Sequence, residues 1–169
     1  MEAEEFIERL ACGEDMFRAL VCCLDEDHAR WRPEPGKWSI LEVINHLHDE
    51  EREDFRQRLD LTLNRPGAAW PSIDPGTWVR ERAYNDRNFK NSIENFVSER
   101  RKSVAWLRSL ESPDWKSSHE HPVFGPIGAG DILCAWLAHD YFHARQISNI
   151  LIQNAAFLSA PFTTRYAFG

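Results

Sequence analysis

The chain of 169 residues has the length of one ordinary domain and can bury a core without disulfides or a structural metal. Its formal net charge of −7 excludes the basic surface on which non-specific nucleic-acid binding depends, and it makes an anionic membrane surface equally unattractive. Hydrophobic residues make up 43% and charged residues 28% of the chain, which is typical of globular proteins rather than disordered or membrane-spanning ones.

The amino-terminal segment predicts a cytoplasmic protein. The sequence MEAEEFIERL is acidic and amphipathic, and it lacks the basic n-region and the apolar h-region of a signal peptide. No apolar run reaches the roughly 18 residues that a membrane-spanning helix needs. We therefore expect neither a membrane nor a nucleic acid among the partners.

Four long stretches with helical periodicity, separated by segments rich in Pro and Gly, predict an all-α fold. We expect one domain over residues 1–169, built as a four-helix bundle with long crossing loops. Helix one is predicted over residues 3–25, where apolar residues recur at three- and four-residue steps. Helix two is predicted over residues 40–63, because Ser39 and Glu42 form a capping box at its start.

The second half of the chain predicts two further helices. Residues 64–85 form a long crossing connection, rich in aromatic residues, that could serve as a pocket wall. Helix three begins near Phe89 and ends near Ser112 and Pro113. Residues 117–130 are expected to be irregular, with a short extended piece around Val123 and Phe124. Helix four is predicted from residue 131 to 153.

Histidines on two of these helices suggest a metal site. His139 and His143 stand four residues apart on helix four, so both imidazoles leave the same face about one turn apart, as two ligands of one metal must. The alternative for such a pair is two hydrogen-bonded core histidines. His46 on helix two is free to face helix four in a bundle, and it favours a three-histidine site for one divalent ion.

Glu50 lies four residues after His46 on the same face of helix two. It could orient a ligand imidazole, coordinate the metal directly or act as a general base near bound water. The alternative is a solvated carboxylate that pairs with a neighbouring arginine. His48 is roughly 200 degrees around the helix from His46, so it cannot serve the same ion and is expected to be a solvated surface residue.

Other chemical patterns are absent from the sequence or have simpler explanations. The chain has neither the paired Glu-x-x-His motifs of di-iron bundles nor the His-Glu-x-x-His motif of zincins. His119 and His121 alternate in a loop and could approach the mouth of the site, but a polar loop is the simpler reading. Without any Cys-x-x-Cys spacing, the cysteines are expected to be buried free thiols: Cys12, Cys22, Cys23 and Cys134.

Two spaced patterns resemble the DinB-like superfamily, which includes YfiT-type proteins. They are Trp38-Ser39-x-x-Glu42-Val43-x-x-His46-Leu47 and His139-Asp140-x-x-His143-x-x-Gln146-Ile147. The resemblance implies a four-helix bundle of up-down-down-up character that is often dimeric. It also implies a nickel, zinc or iron ion held by three histidines, which match His46, His139 and His143. Some members of the superfamily transfer a low-molecular-weight thiol, others are named metal-dependent hydrolases, and many have no known activity.

Two functional hypotheses follow. Three neutral imidazoles leave at least one coordination position open, as in catalytic rather than structural metal sites. The first hypothesis is therefore a metal-dependent enzyme that transfers a low-molecular-weight thiol to a small electrophile, or hydrolyses a small substrate, with Glu50 as the candidate catalytic residue. The second is a non-catalytic metal- or ligand-binding module related to stress. A homodimer is expected from the resemblance.

Overall fold

The computed structural model describes residues 3–168. Its helices, in chain order, are α1 (Ala3–Val21), α2 (Glu26–Arg30), α3 (Ile40–Glu50), a π-helical segment (Glu51–Phe55), α4 (Arg56–Asn64), α5 (Pro75–Glu81), α6 (Phe89–Ser109) and α7 (Ala129–Leu158). Two short 3₁₀ turns cover Tyr84–Asp86 and Arg165–Ala167. The strands β1 (Ser118–His121) and β2 (Gly125–Gly128) form an antiparallel hairpin, with Ser118 opposite Gly128.

Four long helices form the bundle: α1, the continuous helix from α3 through the π segment to α4, α6, and α7. Side-chain contacts fix their directions. Helix α1 is antiparallel to α6, because Arg18 pairs with Glu94 while Glu8 pairs with Arg108. The α3–α4 helix is parallel to α6 and antiparallel to α7, as contacts at both ends show: Asn45 with Ser92, Arg56 with Ser103, His46 with His143, and Trp136 with Glu51. The bundle therefore has the expected up-down-down-up arrangement.

The core consists of two apolar clusters. Members of the cluster near the start of α3 include Phe17, Ile44, Phe96 and Ile147. Members of the cluster at the other end include Leu10, Leu59, Leu107 and Trp136. Each of the four bundle helices contributes to both clusters, so the two clusters set the spacing of the helices on either side of a polar layer at mid-height.

A buried arginine organises that polar layer. Arg100 on α6 is 1% exposed, and its guanidinium donates to Glu51, to Asp140 and to the backbone oxygen of Leu10 at 2.5–2.9 Å. These five hydrogen bonds use all five N–H donors of the guanidinium. Glu51 also accepts from Trp136 Nε1 at 3.0 Å. The network thus links α1, the π segment, α6 and α7.

Glycine at position 13 makes this layer possible. A Cβ atom on Gly13 would lie 2.8 Å from both Arg100 Nη1 and Asp140 Oδ2, closer than carbon can approach these atoms. The absence of a side chain lets α1 come close enough for Leu10 to receive its hydrogen bond from Arg100.

Several predicted boundaries are wrong. Helix α1 ends at Val21, because Asp25 caps the separate helix α2 by accepting from the backbone of His28. The crossing connection contains α5, which begins where Asp74 caps Thr77. Helix α6 ends at Ser109, before the expected Ser112, and α7 extends over Ala129–Leu158 rather than 131–153.

The hairpin and the cysteines also differ from the sequence predictions. Two strands, residues 118–121 and 125–128, form in the segment that was expected to be irregular. Val123 and Phe124 were predicted to be extended, but they lie in the turn between the strands. Gly125 follows this turn with a φ of +71°. No cysteine forms a disulfide within residues 3–168, but the expected burial is wrong, because three of the cysteines are exposed and Cys134 is half-buried. Within residues 3–168, we find no helix long and apolar enough to cross a membrane.

Candidate metal centre

The histidine of α3 is placed by a well-defined helix start. Ser39 Oγ accepts from the backbone of Glu42 at 3.1 Å, and the Glu42 carboxylate accepts from the backbone of Ser39 at 2.7 Å, so the predicted capping box is confirmed. Arg32 holds the Glu42 carboxylate with two further bonds. His46 follows two turns later and is 5% exposed. The start of α3 is therefore rigid, and so is the direction in which His46 points.

Three imidazoles from two antiparallel helices meet at one point. The Nε2 atom of His46 lies 3.1 Å from that of His143 and 3.4 Å from that of His139, and the last two are 3.0 Å apart. In a tetrahedral site with Zn–N bonds of about 2.0–2.1 Å, ligand nitrogens are about 3.4 Å apart. The three nitrogens thus have nearly the spacing of one face of such a site.

The hydrogen bond behind His143 favours the ligand form of this ring. Gln146 Oε1 lies 2.7 Å from His143 Nδ1, which as the donor must carry the proton. The Nε2 atom of the neutral ring then presents a lone pair to the centre, as a metal ligand requires. On the opposite helix, His46 Nδ1 is buried and has no hydrogen-bond partner among the described residues.

Burial keeps the imidazoles neutral. It lowers the pKa of His46 to about 3 and the pKa of His139 to about 2, with a further contribution from the neighbouring His143 in both cases. Burial also lowers the pKa of His143, although its bond to Gln146 opposes this. All three rings are therefore in the form that binds a cation at neutral pH.

Aromatic side chains surround the imidazoles and limit the access of water. The ring contacts are Trp38 with His46 at 4.9 Å, Trp38 with His143 at 6.4 Å, Phe55 with His139 at 5.0 Å, and Phe142 with His143 at 5.0 Å. Sequence reasoning did not identify Phe55 or Phe142 as part of the site. No spacing motif marks them, because their contribution depends on how the π segment and α7 pack together.

Glu50 lies beside the centre in sequence but is not one of the converging donors. Among the described residues, the only group of three potential ligands with converging atoms is His46, His139 and His143. Glu50 is 4% exposed, and its Oε1 atom has no hydrogen-bond partner in the described structure. Burial, together with the charge of Asp54, raises the pKa of Glu50 to about 9. The alternative interpretation of Glu50 as a solvated carboxylate is thus wrong, and Glu50 is a buried acid that keeps its proton at neutral pH.

The remaining histidines lie elsewhere. His48 does not join the cluster, as expected, but it is half-buried rather than solvated, and its Nδ1 lies 3.0 Å from Asp49 Oδ1. His119 stacks on Trp70 with ring centroids 4.3 Å apart, and His121 lies 6.0 Å from the same ring. Both lie on β1 and not in the converging group.

Comparison with known proteins agrees with this geometry. A family model described as the DinB superfamily matches residues 9–147. The chain belongs to the DinB superfamily. It is 24% identical over 115 residues to an Oceanobacillus iheyensis protein named "Putative metal-dependent hydrolase", and the match covers 68% of this chain and 66% of that protein, just under two thirds of its length.

The fold is also known from a solved structure. YfiT from Bacillus subtilis, described as "a probable metal-dependent hydrolase with an unusual four-helix bundle topology", superposes with a TM-score of 0.78 at 19% sequence identity. The match covers 88% of this chain and 85% of YfiT. At this identity the likeness shows the fold alone, and the DinB bundle of the present chain is the one that the sequence predicted.

Proposed function

We propose that this DinB-superfamily protein binds one divalent transition metal ion through His46, His139 and His143 and hydrolyses a small substrate there. The observation that carries the proposal is the convergence of three neutral Nε2 atoms within 3.4 Å of one another. Two hydrogen-bonded core histidines would not need a third imidazole at the same point. The names of the relatives support a metal-dependent hydrolase.

The donor set fits a catalytic rather than a structural site. Three protein ligands leave a coordination position open, and a nickel, zinc or iron ion there supplies Lewis-acid activation of a water or a thiol. The chain itself holds the ligands in place: Gln146 fixes His143, and the rings of Trp38 and Phe55 pack on the cluster. A cluster that is mostly closed off from water strengthens every electrostatic interaction within it.

Glu50 is proposed as the proton donor of the reaction. It lies one helical turn after His46, and it is protonated at neutral pH because its pKa is raised to about 9. A buried acid with such a pKa can give a proton to a leaving group. Its unpartnered Oε1 atom distinguishes it from Asp49 and Glu51, whose carboxylates are held by arginines. We propose that this Oε1 atom is the one through which Glu50 bonds a substrate.

Metal analysis of the purified protein tests the binding step. We expect about one equivalent of transition metal, because only one converging group is present in residues 3–168. His46→Ala, His139→Ala and His143→Ala should each remove most of it, whereas the matched control His121→Ala should keep it. Full occupancy in all three cluster variants would show that the ion binds elsewhere.

A paired assay tests the reaction. Hydrolysis of small esters and amides, and conjugation of small thiols to model electrophiles, would be measured with metal-loaded, chelated and His143→Ala protein. We expect hydrolysis by the metal-loaded protein only. Thiol transfer, which the family resemblance also implies, stays a prediction, and conjugation without hydrolysis would favour it. Equal rates in all three samples would leave a non-catalytic binding module as the better account.

The cellular context is proposed from the sequence and from the family resemblance. A small-molecule substrate, a homodimeric state and a cytoplasmic location stay predictions. Of these, the homodimer is supported by exposed aromatic side chains near the end of α7 and in the tail, which are Phe157, Phe162, Tyr166 and Phe168.

A further inference from the structure

A cavity of about 340 Å³ adjoins the three-histidine cluster on the side of His143. It lies between the segment before α3 and the second half of α7. Three of its lining residues, Trp38, Phe142 and Gln146, also contact His143. A molecule in this cavity is therefore separated from the cluster by a single layer of side chains. The volume falls at the low end of the range for small-molecule sites, about 300–1,000 Å³.

The cavity wall carries cations that have no carboxylate partner. Lys37 and Arg145 both line it, and within residues 3–168 neither makes an ion pair. The Arg145 guanidinium instead lies 5.5 Å from the centre of the Phe142 ring. The wall also includes one carboxylate, Glu34, so one positive charge remains in excess. This balance favours an anionic ligand over a neutral or cationic one.

Side-chain amides add further hydrogen-bond donors. Gln146 uses its Oε1 atom to hold His143, which leaves its NH₂ group without an acceptor in the described structure. The side chain of Asn149, one turn further along α7, makes no hydrogen bond to any described residue. The ammonium of Lys37, the guanidinium of Arg145 and these amides thus present hydrogen-bond donors without matching acceptors, as an oxyanion site does.

Apart from Gln153, the rest of the wall is apolar. Trp38, Phe142 and Ile150 line the cavity together with Pro33. A ligand that fills it should therefore combine an anionic end with an apolar or aromatic body, because a fully polar ion would leave these surfaces uncovered. The planar carboxylate suits the guanidinium of Arg145, which can bind it through two parallel hydrogen bonds.

We propose that this cavity binds small organic carboxylic acids with an apolar body, and that the substrate of the enzyme carries such a carboxylate. The second half of the statement rests on the proposed function. The carboxylate would be held by Lys37 and Arg145, and the apolar body would lie against Trp38 and Phe142, next to the histidine cluster.

Phenylacetate and phenylacetamide provide a test, because they share a shape and differ in charge. Their dissociation constants would be measured by calorimetry, with ligand-observed NMR as a second method. We expect phenylacetate to bind about tenfold more tightly, the gain from a charge-assisted contact at a partly exposed site. The double variant Lys37→Met/Arg145→Met should reduce phenylacetate binding to the level of the amide and leave amide binding unchanged.

The matched control is Lys116→Met/Arg65→Met, which removes the same charge from exposed positions outside the cavity wall. It should bind phenylacetate like the wild type. Equal affinity of the wild type for phenylacetate and phenylacetamide would overturn the proposal. So would a loss of phenylacetate affinity in the control as large as that in the Lys37→Met/Arg145→Met variant. Titrations of metal-free protein, with metal content measured in parallel, separate this outcome from the proposed function. If the protein binds phenylacetate but takes up no metal, the proposed metal enzyme is rejected and the carboxylate cavity is supported. If it takes up metal but does not bind phenylacetate, the carboxylate cavity is rejected and the metal site is supported.

Discussion

Replacing Arg100 with Met should destabilise the protein far more than the same change at its neighbour Arg101. Without the guanidinium, the carboxylates of Glu51 and Asp140, each about 1% exposed, lose the only cation that pairs with them within residues 3–168. Leaving buried charges unpaired costs about 3–5 kcal/mol. Arg101 is 67% exposed and pairs with Glu14 on the surface, so its loss should cost no more than about 1 kcal/mol.

Thermal unfolding followed by circular dichroism measures both variants against the wild type. For a domain of this size, the Arg100 variant should unfold roughly 6–20 °C lower, at about 2–4 °C per kcal/mol. The loss should also depend on pH. Burial raises the pKa of Glu51 and Arg100 opposes that shift, so without Arg100 the folded-state pKa rises further above the unfolded value.

A raised folded-state pKa means that the penalty is absent below the unfolded-state pKa of about 4.3 and grows as the pH increases. The difference between wild type and the Arg100 variant should therefore narrow from pH 8 to pH 5. Equal losses for the Arg100 and Arg101 variants, or a difference that does not change with pH, would refute the reasoning. The central ion-pair layer would then contribute no more than a surface pair.

Four other predictions follow from named contacts. Gly13→Ala should destabilise the protein by about 1–3 kcal/mol despite the better helix propensity of Ala, because its Cβ would press on Arg100 and Asp140. Thermal unfolding measures the loss of stability, and a stabilised variant would contradict the packing. Ser39→Ala should cost about 1 kcal/mol in chemical denaturation of metal-free protein, and an unchanged midpoint would mean that the cap is not needed. Glu50→Gln in metal-free protein should gain stability over the wild type as the pH rises from 5 to 8, by up to about 1.4 kcal/mol per pH unit, because the folded-state pKa of Glu50 lies above its unfolded value. If the difference in unfolding free energy between the variant and the wild type does not change with pH, Glu50 is an ordinary carboxylate. Light scattering should give twice the chain mass of 19.7 kDa, and a monomer at micromolar concentration would reject the homodimer.

The sequence predicted those parts of the site that depend on local spacing. The capping box of Ser39 and Glu42 fixes where α3 starts, and the four-residue spacing of His139 and His143 fixes which face they share. His46 could be added because the apolar stripe of its helix must face the core. These inferences need only the period of an α-helix.

The missed features depend on packing between distant segments. Arg100 received no role in the sequence predictions, because arginine is almost never fully buried. Its position midway between Phe96 and Val104, both buried, was the available signal. The raised pKa of Glu50 was missed for a similar reason, since its first cause is burial by the packed helices. The second cause, the charge of Asp54 four residues later, was visible in the sequence.

The π-helical segment between α3 and α4 has an evolutionary consequence. Its backbone closes through a bond from the N–H of Arg56 to the oxygen of Glu51, one residue longer than an α-helical turn. The segment therefore takes up one residue more than an uninterrupted α-helix would hold over the same length. Deleting one residue between Glu51 and Phe55 would leave both flanking helices in phase, with His46 and Leu59 still facing the core. Glu50 would be unaffected, because it precedes the segment. Loss of one residue at this point is thus compatible with an unchanged histidine cluster.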